Sequence, residues 1–595
     1  MMFKAVFLVL FAVSIAKADT FKQGLKELSK ANIEKATHIF CQIGKNSIMY
    51  NYADYYCTLL TSIKKDPKIP PNYSPKLAID HYKLFFLSKY YMDKNLKLAY
   101  SIFKKIDKKA LHKEDLPEYT YLHYKLSNKK EEPLKTLITD FVYDELYGFP
   151  LLKKHIDHLP ENQLYKAVNK LIFHRKFDNA LYVLDRLKDT DRKFFYKSSI
   201  FLKKRKYKKA EEQFRQIHKD SRYYLLGLYK LTTGLRNFEK QKQYFSKLSK
   251  LQNTKYTEKA SYILMKKSFF KGRWKEFKFF SKKIDKNSKY YSEKIWLDIL
   301  YRYKTEDYIG AYLLLEENKK MFPSSKVYYW LYLISKKAKL KNSTKFLKKA
   351  TNSKALNFYS LYSREILKLN NKNQKFTPKV EDVNLDTDTL LIKKLKNLKL
   401  YRWAYIEGKY LLKKKRGKEE LKQLYKALPE LTAKKFALIG AVYESFPKPF
   451  SIPTYSSFKD FEELTFAVMR QESFFDYYAL SISNAMGLMQ IIPPTAKWIA
   501  KIRNKELTNL KLLFNPEINI DFGSWYLAYL LKIFNNNLFY TVASYNAGPN
   551  AVKRFLKKNP ITDIAEFVEF FPYEETRNYT KKVIRNYLVY KYLLK

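Results

Sequence analysis

Glycine is scarce, at 13 of 595 residues, about 2% where ordinary proteins carry about 7%. That shortage counts against glycine-rich phosphate loops, collagen and turn-dense β architectures. Cysteine occurs only at positions 41 and 57. Neither His nor Cys follows His218, so zinc hydrolysis, Cys/His nucleophiles and Ser-His-Asp triads are excluded from everything beyond it. The His155/His158 pair reads as a solvated helix face, and no metal or cofactor is expected. Acids are few as well: 58 Asp and Glu stand against 115 Lys and Arg, a formal net charge of +57. Such an excess predicts an anionic partner without naming it. After the first residues, no uncharged apolar run reaches the ~18 residues needed to span a bilayer.

What is present is apolar bulk. Hydrophobic residues make up 46% of the chain and aromatics 17%, enough for several packed cores. At the start, Lys4 precedes the uncharged run Ala5 to Ile15, and Ala16-Lys17-Ala18 supplies small residues at a cleavage site. This is the layout of a secretory signal, so residues 1–18 are expected to be removed after Ala18 on export to the periplasm. An exported basic protein meets little nucleic acid, which leaves polyanionic cell-envelope material as the expected partner. An oxidising compartment permits a Cys41–Cys57 bridge. Two buried free thiols fit the sequence nearly as well.

The first two thirds read as helix, with apolar residues recurring at three and four and Lys between them. One pattern returns: an apolar residue, Ala three later, and a large apolar residue four after that. It appears as Ile33/Ala36/Phe40, Leu96/Ala99/Phe103, Phe177/Ala180/Leu184, Tyr207/Ala210/Phe214 and Tyr308/Ala311/Leu315. Weaker copies are Phe238/Gln241/Phe245 and Trp274/Phe277/Ser281. From Ala180 onward the spacing brackets the 34-residue period of stacked helix pairs. The expectation is an all-α chain: a superhelical solenoid over 19–380, a small helical linker domain over 381–449 and a terminal domain over 450–595. A plain helical bundle is the alternative to the solenoid.

In the terminal domain, Ser457 with Asp460 resembles a capping box opening a helix. Phe461, Leu464 and Val468 form its apolar stripe, and the next member of that stripe is Glu472. A carboxyl on an apolar face loses solvation of its charged form, so its pKa should rise. Such a group can give a proton to a leaving oxygen at neutral pH and recover it later. Pairing of Glu472 with Arg470 or Ser473 is the plainer reading of the stripe.

Around Glu472 the motifs become recognisable. Gln471-Glu472-Ser473-Phe474-Phe475 and Ala485-Met486-Gly487-Leu488-Met489-Gln490-Ile491 closely resemble the signature of the soluble lytic transglycosylases. So do Asn515-Pro516-Glu517-Ile518-Asn519-Ile520 with Gly523 and Tyr526, then Ala543-Ser544-Tyr545-Asn546-Ala547-Gly548-Pro549. Tyr573, Glu575-Thr576-Arg577 and Tyr579 complete the order. The resemblance covers roughly 130 C-terminal residues and implies a lysozyme-like domain, which in the large branch of the family follows a helical ring and a linker. It implies that Glu472 is the single catalytic acid/base and that Ser473 hydrogen-bonds that carboxyl or the substrate. Gln490, Tyr545 and Glu575 match residues lining the glycan groove, with Asn546 on the same wall. Gly487 and Gly548 are implied to be structural. Asn484 departs from the family, many of whose members have Gly there, though Asn tolerates the left-handed backbone.

The implied reaction is cleavage between N-acetylmuramic acid and N-acetylglucosamine in peptidoglycan, at strand ends or within strands. Glu472 protonates the bridging oxygen, then deprotonates the muramyl 6-hydroxyl, which closes a 1,6-anhydro ring. An intramolecular hydroxyl reaches effective molarities of up to about 10⁵–10⁸ M, so no second carboxylate is needed to hold water. The nearest downstream acid, Asp476, would share a helix face with Glu472 if the helix ran on. Two rivals are a lysozyme-type hydrolase in the same groove and a non-catalytic envelope scaffold that binds glycan.

Overall fold

Every recurrence of the apolar–small–large pattern opens a helix. Ile33, Leu96, Phe177, Tyr207, Phe238, Trp274 and Tyr308 are each the first residue of one. The small central residues Ala36, Ala99, Ala180, Ala210 and Ala311 have no exposed surface. Their large partners Phe40, Phe103, Leu184, Phe214 and Leu315 are buried as well, as are Gln241 and Phe245 of a weaker copy. Absence of a bulky side chain lets a neighbouring helix come close: Ser198, on the helix Asp191–Lys203, donates its hydroxyl to the Ala210 carbonyl at 2.8 Å.

The turns before four of these helices share one geometry. Asn32, Lys206, Arg273 and Asp307 each donate a backbone N–H to the carbonyl five residues earlier. The residues just before them, Ala31, Arg205, Gly272 and Glu306, hold φ near +60°. This is the Schellman ending of a helix. Only one of the four is glycine; the others accept about 1–2 kcal/mol of left-handed strain each.

The structure is a computed structural model, described here for residues 20–67, 73–251, 254–341, 343–352, 356–369, 383–414, 417–432 and 446–593. Among these residues there is no β-strand, only the isolated bridges Leu480–Met486 and Met486–Ile491. The chain is all-α. No described helix is long and apolar enough to cross a membrane. The signal segment, and residues 370–382 around the expected solenoid–linker boundary, lie outside the described residues.

Two compact units take their segments out of chain order. The first draws on 1–174, 375–451 and 473–520; the second on 175–374, 452–472 and 521–595. In the first unit Cys41 and Cys57 are bridged, with their Cα atoms 5.1 Å apart. Closing a loop of that size stabilises by about 3 kcal/mol in the chain-entropy picture. The buried Glu407 accepts the amides of Ala78 and Ile79 at 2.9 Å and the Tyr52 hydroxyl at 2.8 Å. That carboxylate satisfies orphan donors at the start of the helix Ala78–Tyr91, tying early helices to the later Tyr401–Lys414.

Six helices of the terminal domain are α1 Phe461–Glu472, α2 Pro516–Ile533, α3 Leu538–Ala547, α4 Pro549–Lys558, α5 Ile564–Phe570 and α6 Glu574–Leu593, with the further helix Pro493–Ile502 between α1 and α2. In the second unit, α5 is held on the repeat helices by buried carboxylates. Glu566 accepts Tyr303 at 2.6 Å, and Glu569 accepts Trp296 at 3.2 Å, Tyr359 at 2.5 Å and Lys581 at 2.8 Å. The expected capping box does not form: α1 starts at Phe461, so Ser457 lies ahead of the helix. Asp460 instead accepts the buried Tyr587 hydroxyl at 2.9 Å, clasping α1 to α6.

Candidate active site

Helix α1 is nearly all core. Phe461, Leu464, Phe466, Ala467, Val468 and Met469 are buried, and Glu472 is its last residue. A helix C-terminus is an unfavourable place for a carboxylate, because the macrodipole is negative there. Glu472 is half-buried as a residue, and its carboxyl is crowded by two tyrosines of the second unit. Tyr579 of α6 donates its hydroxyl to Glu472 Oε1 at 2.7 Å. Tyr545 of α3 is close enough that the Glu472 charge helps push its phenol well above 10.

Burial drives the Glu472 pKa up to about 7. The Tyr579 hydrogen bond works the other way, and the charge of Glu575 adds to the rise. Burial is the deciding influence, since a charge-assisted hydrogen bond recovers only part of a lost hydration shell. Arg470 does not neutralise the acid: its guanidinium donates to Asn586 Oδ1 at 3.0 Å. A carboxyl poised near neutrality can act as acid and then base without a change of solvent conditions.

Other residues of the second unit surround this pair. The rings of Tyr545 and Tyr526 lie 5.6 Å apart. Asn546 accepts the Thr576 hydroxyl at 2.6 Å, joining the end of α3 to α6. Glu575 is exposed on the first turn of α6. Its neighbour Glu574 is the one that meets Lys266, at 2.7 Å, while Arg577 lies over the Phe270 ring and donates to the Phe571 carbonyl at 2.8 Å. Gly548 takes φ +82° between α3 and α4, with open space where a Cβ would point.

Ser473, Gly487 and Gln490 belong to the first unit. The carbonyl of Ser473 accepts the Asp476 amide at 3.2 Å. Gly487 has φ +76°, and a Cβ there would come within 2.2 Å of the Leu513 carbonyl; no other residue fits. The Gln490 amide donates to the carbonyls of Ala479 and Gly487 at 3.0 and 2.9 Å, so it braces the turn it sits in. Asn484 holds φ +60°, the left-handed turn that glycine would otherwise provide. Met486 and Met489 are buried packing.

The backbone closes one question. Phe474 and Phe475 both adopt left-handed φ, so α1 does not continue and Asp476 cannot share its face. Asp476 accepts Tyr405 at 3.0 Å and the Tyr478 amide at 2.9 Å. It is a structural acid of the first unit.

Two residues quoted in the motifs carried no assigned role in the sequence. Tyr579 stands four after Glu575, one helical turn along α6, and it is the residue that holds Glu472. Asn519 is fully buried and accepts the Met489 amide at 2.7 Å. It donates in turn to the Met486 and Leu513 carbonyls at 2.9 and 2.7 Å. A lone Asn amid an apolar helix was the available signal, since a buried amide must find such partners.

The all-α chain of paired repeat helices has solved counterparts. The 70-kDa soluble lytic transglycosylase of Escherichia coli aligns at a TM-score of 0.60 and 15% identity, covering 96% of both chains. The lytic transglycosylase Slt of Pseudomonas aeruginosa, solved as an inactive mutant, aligns at 0.56 and 17%, covering 97% of both. At that identity the likeness establishes the fold. Residues 455–568 match the Transglycosylase SLT domain. Over 156 residues the chain is 35% identical to the soluble lytic murein transglycosylase of Escherichia coli K12, a quarter of this chain and 24% of that one. Over 128 residues it is 37% identical to a putative soluble lytic murein transglycosylase of Haemophilus influenzae, covering 21% and 22%. The sequence match thus spans about a quarter of these curated relatives.

Proposed function

We propose that this protein is a lytic transglycosylase acting on peptidoglycan. The observation that carries the reading is the Glu472 carboxyl, held near pKa 7 by burial at the end of α1 and hydrogen-bonded by Tyr579. The match of residues 455–568 to the SLT domain supports it. Glu472 gives its proton to the glycosidic oxygen as the bond from the muramyl C1 breaks. The muramyl 6-hydroxyl oxygen then bonds to C1 and its proton returns to Glu472. The products are a free 4-hydroxyl on N-acetylglucosamine and a 1,6-anhydromuramyl end, with no water consumed. The charge developing at C1 meets the tyrosine-lined wall, where the Tyr545 phenol stays neutral.

The resemblance carries glycan-binding roles to Ser473, Gln490, Tyr545, Asn546 and Glu575. Catalysis is assigned to the domain over 450–595, after a solenoid over 19–380 and a linker over 381–449. Export by the 1–18 signal puts the enzyme in the periplasm without Lys4 and Lys17, beside the anionic murein that its remaining charge of 57 − 2 = +55 would attract.

Mass spectrometry of purified murein digested by the protein tests the reaction. The expected products are anhydro ends; ends about 18 Da heavier, from water as nucleophile, identify a hydrolase instead. No release at all leaves the binding scaffold. Tyr579→Phe sharpens the assignment to Glu472. Loss of a hydrogen bond that favours the carboxylate should raise the pH limb reporting Glu472 by about one unit, since charged hydrogen bonds are worth about 1.5–3 kcal/mol. The pH profile of kcat/KM measures it, and an unmoved limb rejects Tyr579 as the positioning residue.

A further inference from the structure

Helix α2 carries aromatic side chains on two of its sides. Tyr526 turns to the catalytic wall, its ring 5.6 Å from that of Tyr545. Trp525, one residue earlier, points about 100° away around the helix, and Tyr529 and Lys532 continue its stripe at i+4 and i+7. This stripe lines a cleft of about 570 Å³ within the second unit, a volume typical of ligand sites. Trp525 is half-buried, and Tyr529 is 36% exposed. Their rings lie 5.7 Å apart and 11° from parallel. Tyr529 is the ridge between the two sides, since its ring is also 6.3 Å and 19° from that of Tyr526.

The remaining walls are polar and almost uncharged. Tyr455 donates its hydroxyl to Asp521 of α2, which pins the segment ahead of α1 across the helix. Asn535 and Asn536, both exposed, line the cleft where α2 ends, with φ of +49° and +60°. Glycine makes such a turn without strain. Asparagine makes it and leaves an amide at the cleft, able to donate and to accept. Among the described residues Lys532 is the one charged side chain of the lining, and no Asp or Glu joins it.

We propose that this cleft is a second, non-catalytic saccharide site, which holds N-acetylhexosamine rings of a neighbouring glycan strand while Glu472 works on another. The choice of glycan rests on the function proposed above. A pyranose presents faces of C–H groups, which rest on aromatic rings whose own faces are negative. Its rim of hydroxyl and acetamido groups pairs with amides in both senses. An anionic polymer or a carboxylate-bearing peptide would meet a single cation here, too few for charge to decide binding. The stripe turns away from Tyr526 and the acid, so a strand held on it is anchored and does not react.

The test titrates the full-length Glu472→Gln protein, which should bind without cleaving, with the uncharged tetramer of N-acetylglucosamine in a calorimeter. Two sites per chain are expected, one in the groove beside position 472 and one in the cleft. Adding Trp525→Ala should remove one site and leave the other at its parent affinity, which also shows that α2 still folds. Adding Trp525→Tyr keeps an aromatic face and should retain both. Asn535→Gly with Asn536→Gly preserves the left-handed turn without the amides and should weaken the second site about tenfold. Because ligand and lining are nearly uncharged, that site should be insensitive to salt. A single site in the parent, a second site abolished by salt, or two full-strength sites surviving either Trp525→Ala or the paired glycine variant overturns the proposal. Those results leave anhydro products from wild-type murein digests as they are, so the transglycosylase reading stands. Absence of any product from murein, with two sugar sites still titrating, overturns that reading and leaves the second site.

Discussion

Glu472→Gln is expected to cut murein turnover by at least about 10³-fold and to raise the melting temperature at pH 8. The rate loss follows from one side chain serving twice. General acid and general base contributions are each worth about 10²–10⁴-fold, and an amide can perform neither. The stability gain follows from the same burial. The folded carboxyl titrates near 7 against an ordinary value of 4.5, so the native state binds this proton more tightly than the unfolded chain. Its contribution is therefore intact below pH 4.5 and is lost as pH rises to 7. By pH 8 an ionised carboxylate in that position costs about 2–3 kcal/mol, allowing for its partial exposure. Glutamine carries no such charge. Calorimetry at pH 5 and pH 8 should show the variant ahead of wild type at the higher pH, with the gap closing at the lower one. Near-normal product release would remove Glu472 from the mechanism. A melting temperature lowered equally at both pH values would show the carboxyl to be an ordinary structural partner.

The acid and the repeat helices were legible because both are written in local spacing. A stripe at three and four marks a buried helix face, and the recurring small residue marks where helices approach. Each of those motifs turned out to begin a helix. What the sequence did not disclose was where individual helices begin and end. Ser457 reads as a cap, yet α1 opens at Phe461, and Asp460 is engaged by Tyr587 from α6, a partner 127 residues away. The Schellman turns were hidden for a related reason. Three of their four left-handed positions are filled by Ala, Arg and Glu rather than glycine, and only the packing of the helices on either side makes that strain tolerable. Tyr579 shows the same limit at the site: one among 52 tyrosines, it is set apart only by the fold that turns its hydroxyl toward Glu472. Chain order also misleads about compactness, since each unit gathers early, middle and late segments.

Glu569→Ala should destabilise the protein by about 3–5 kcal/mol, the cost of removing one partner from a buried ionic cluster. Glu569 is 5% exposed and sits among Lys581, Lys326, Trp296 and Tyr359. Burial alone would raise its pKa, but Lys581 and Lys326 hold the carboxyl well below the usual range. Its contribution is thus present above the ordinary carboxylate pKa and is lost only in strong acid. Lys326 is the group most exposed to the change. Its ammonium lies 3.3 Å from the centre of the Trp296 ring, and burial lowers its pKa to about 8 while Glu569 pulls it upward. Without Glu569 that pKa falls further, so the variant carries an uncompensated buried charge at pH 6 and sheds it by pH 9. Urea midpoints at the two pH values should show the larger deficit at pH 6; a pH-independent loss, or one below 1 kcal/mol, would contradict the pairing. Helix α5 leads through Pro572 and Tyr573 into α6, which carries Tyr579. Loosening α5 from the repeat helices therefore reaches Glu472 through α6, whose Tyr579 donates to it, and the rate should fall more steeply with urea in the variant than the loss of folded protein accounts for.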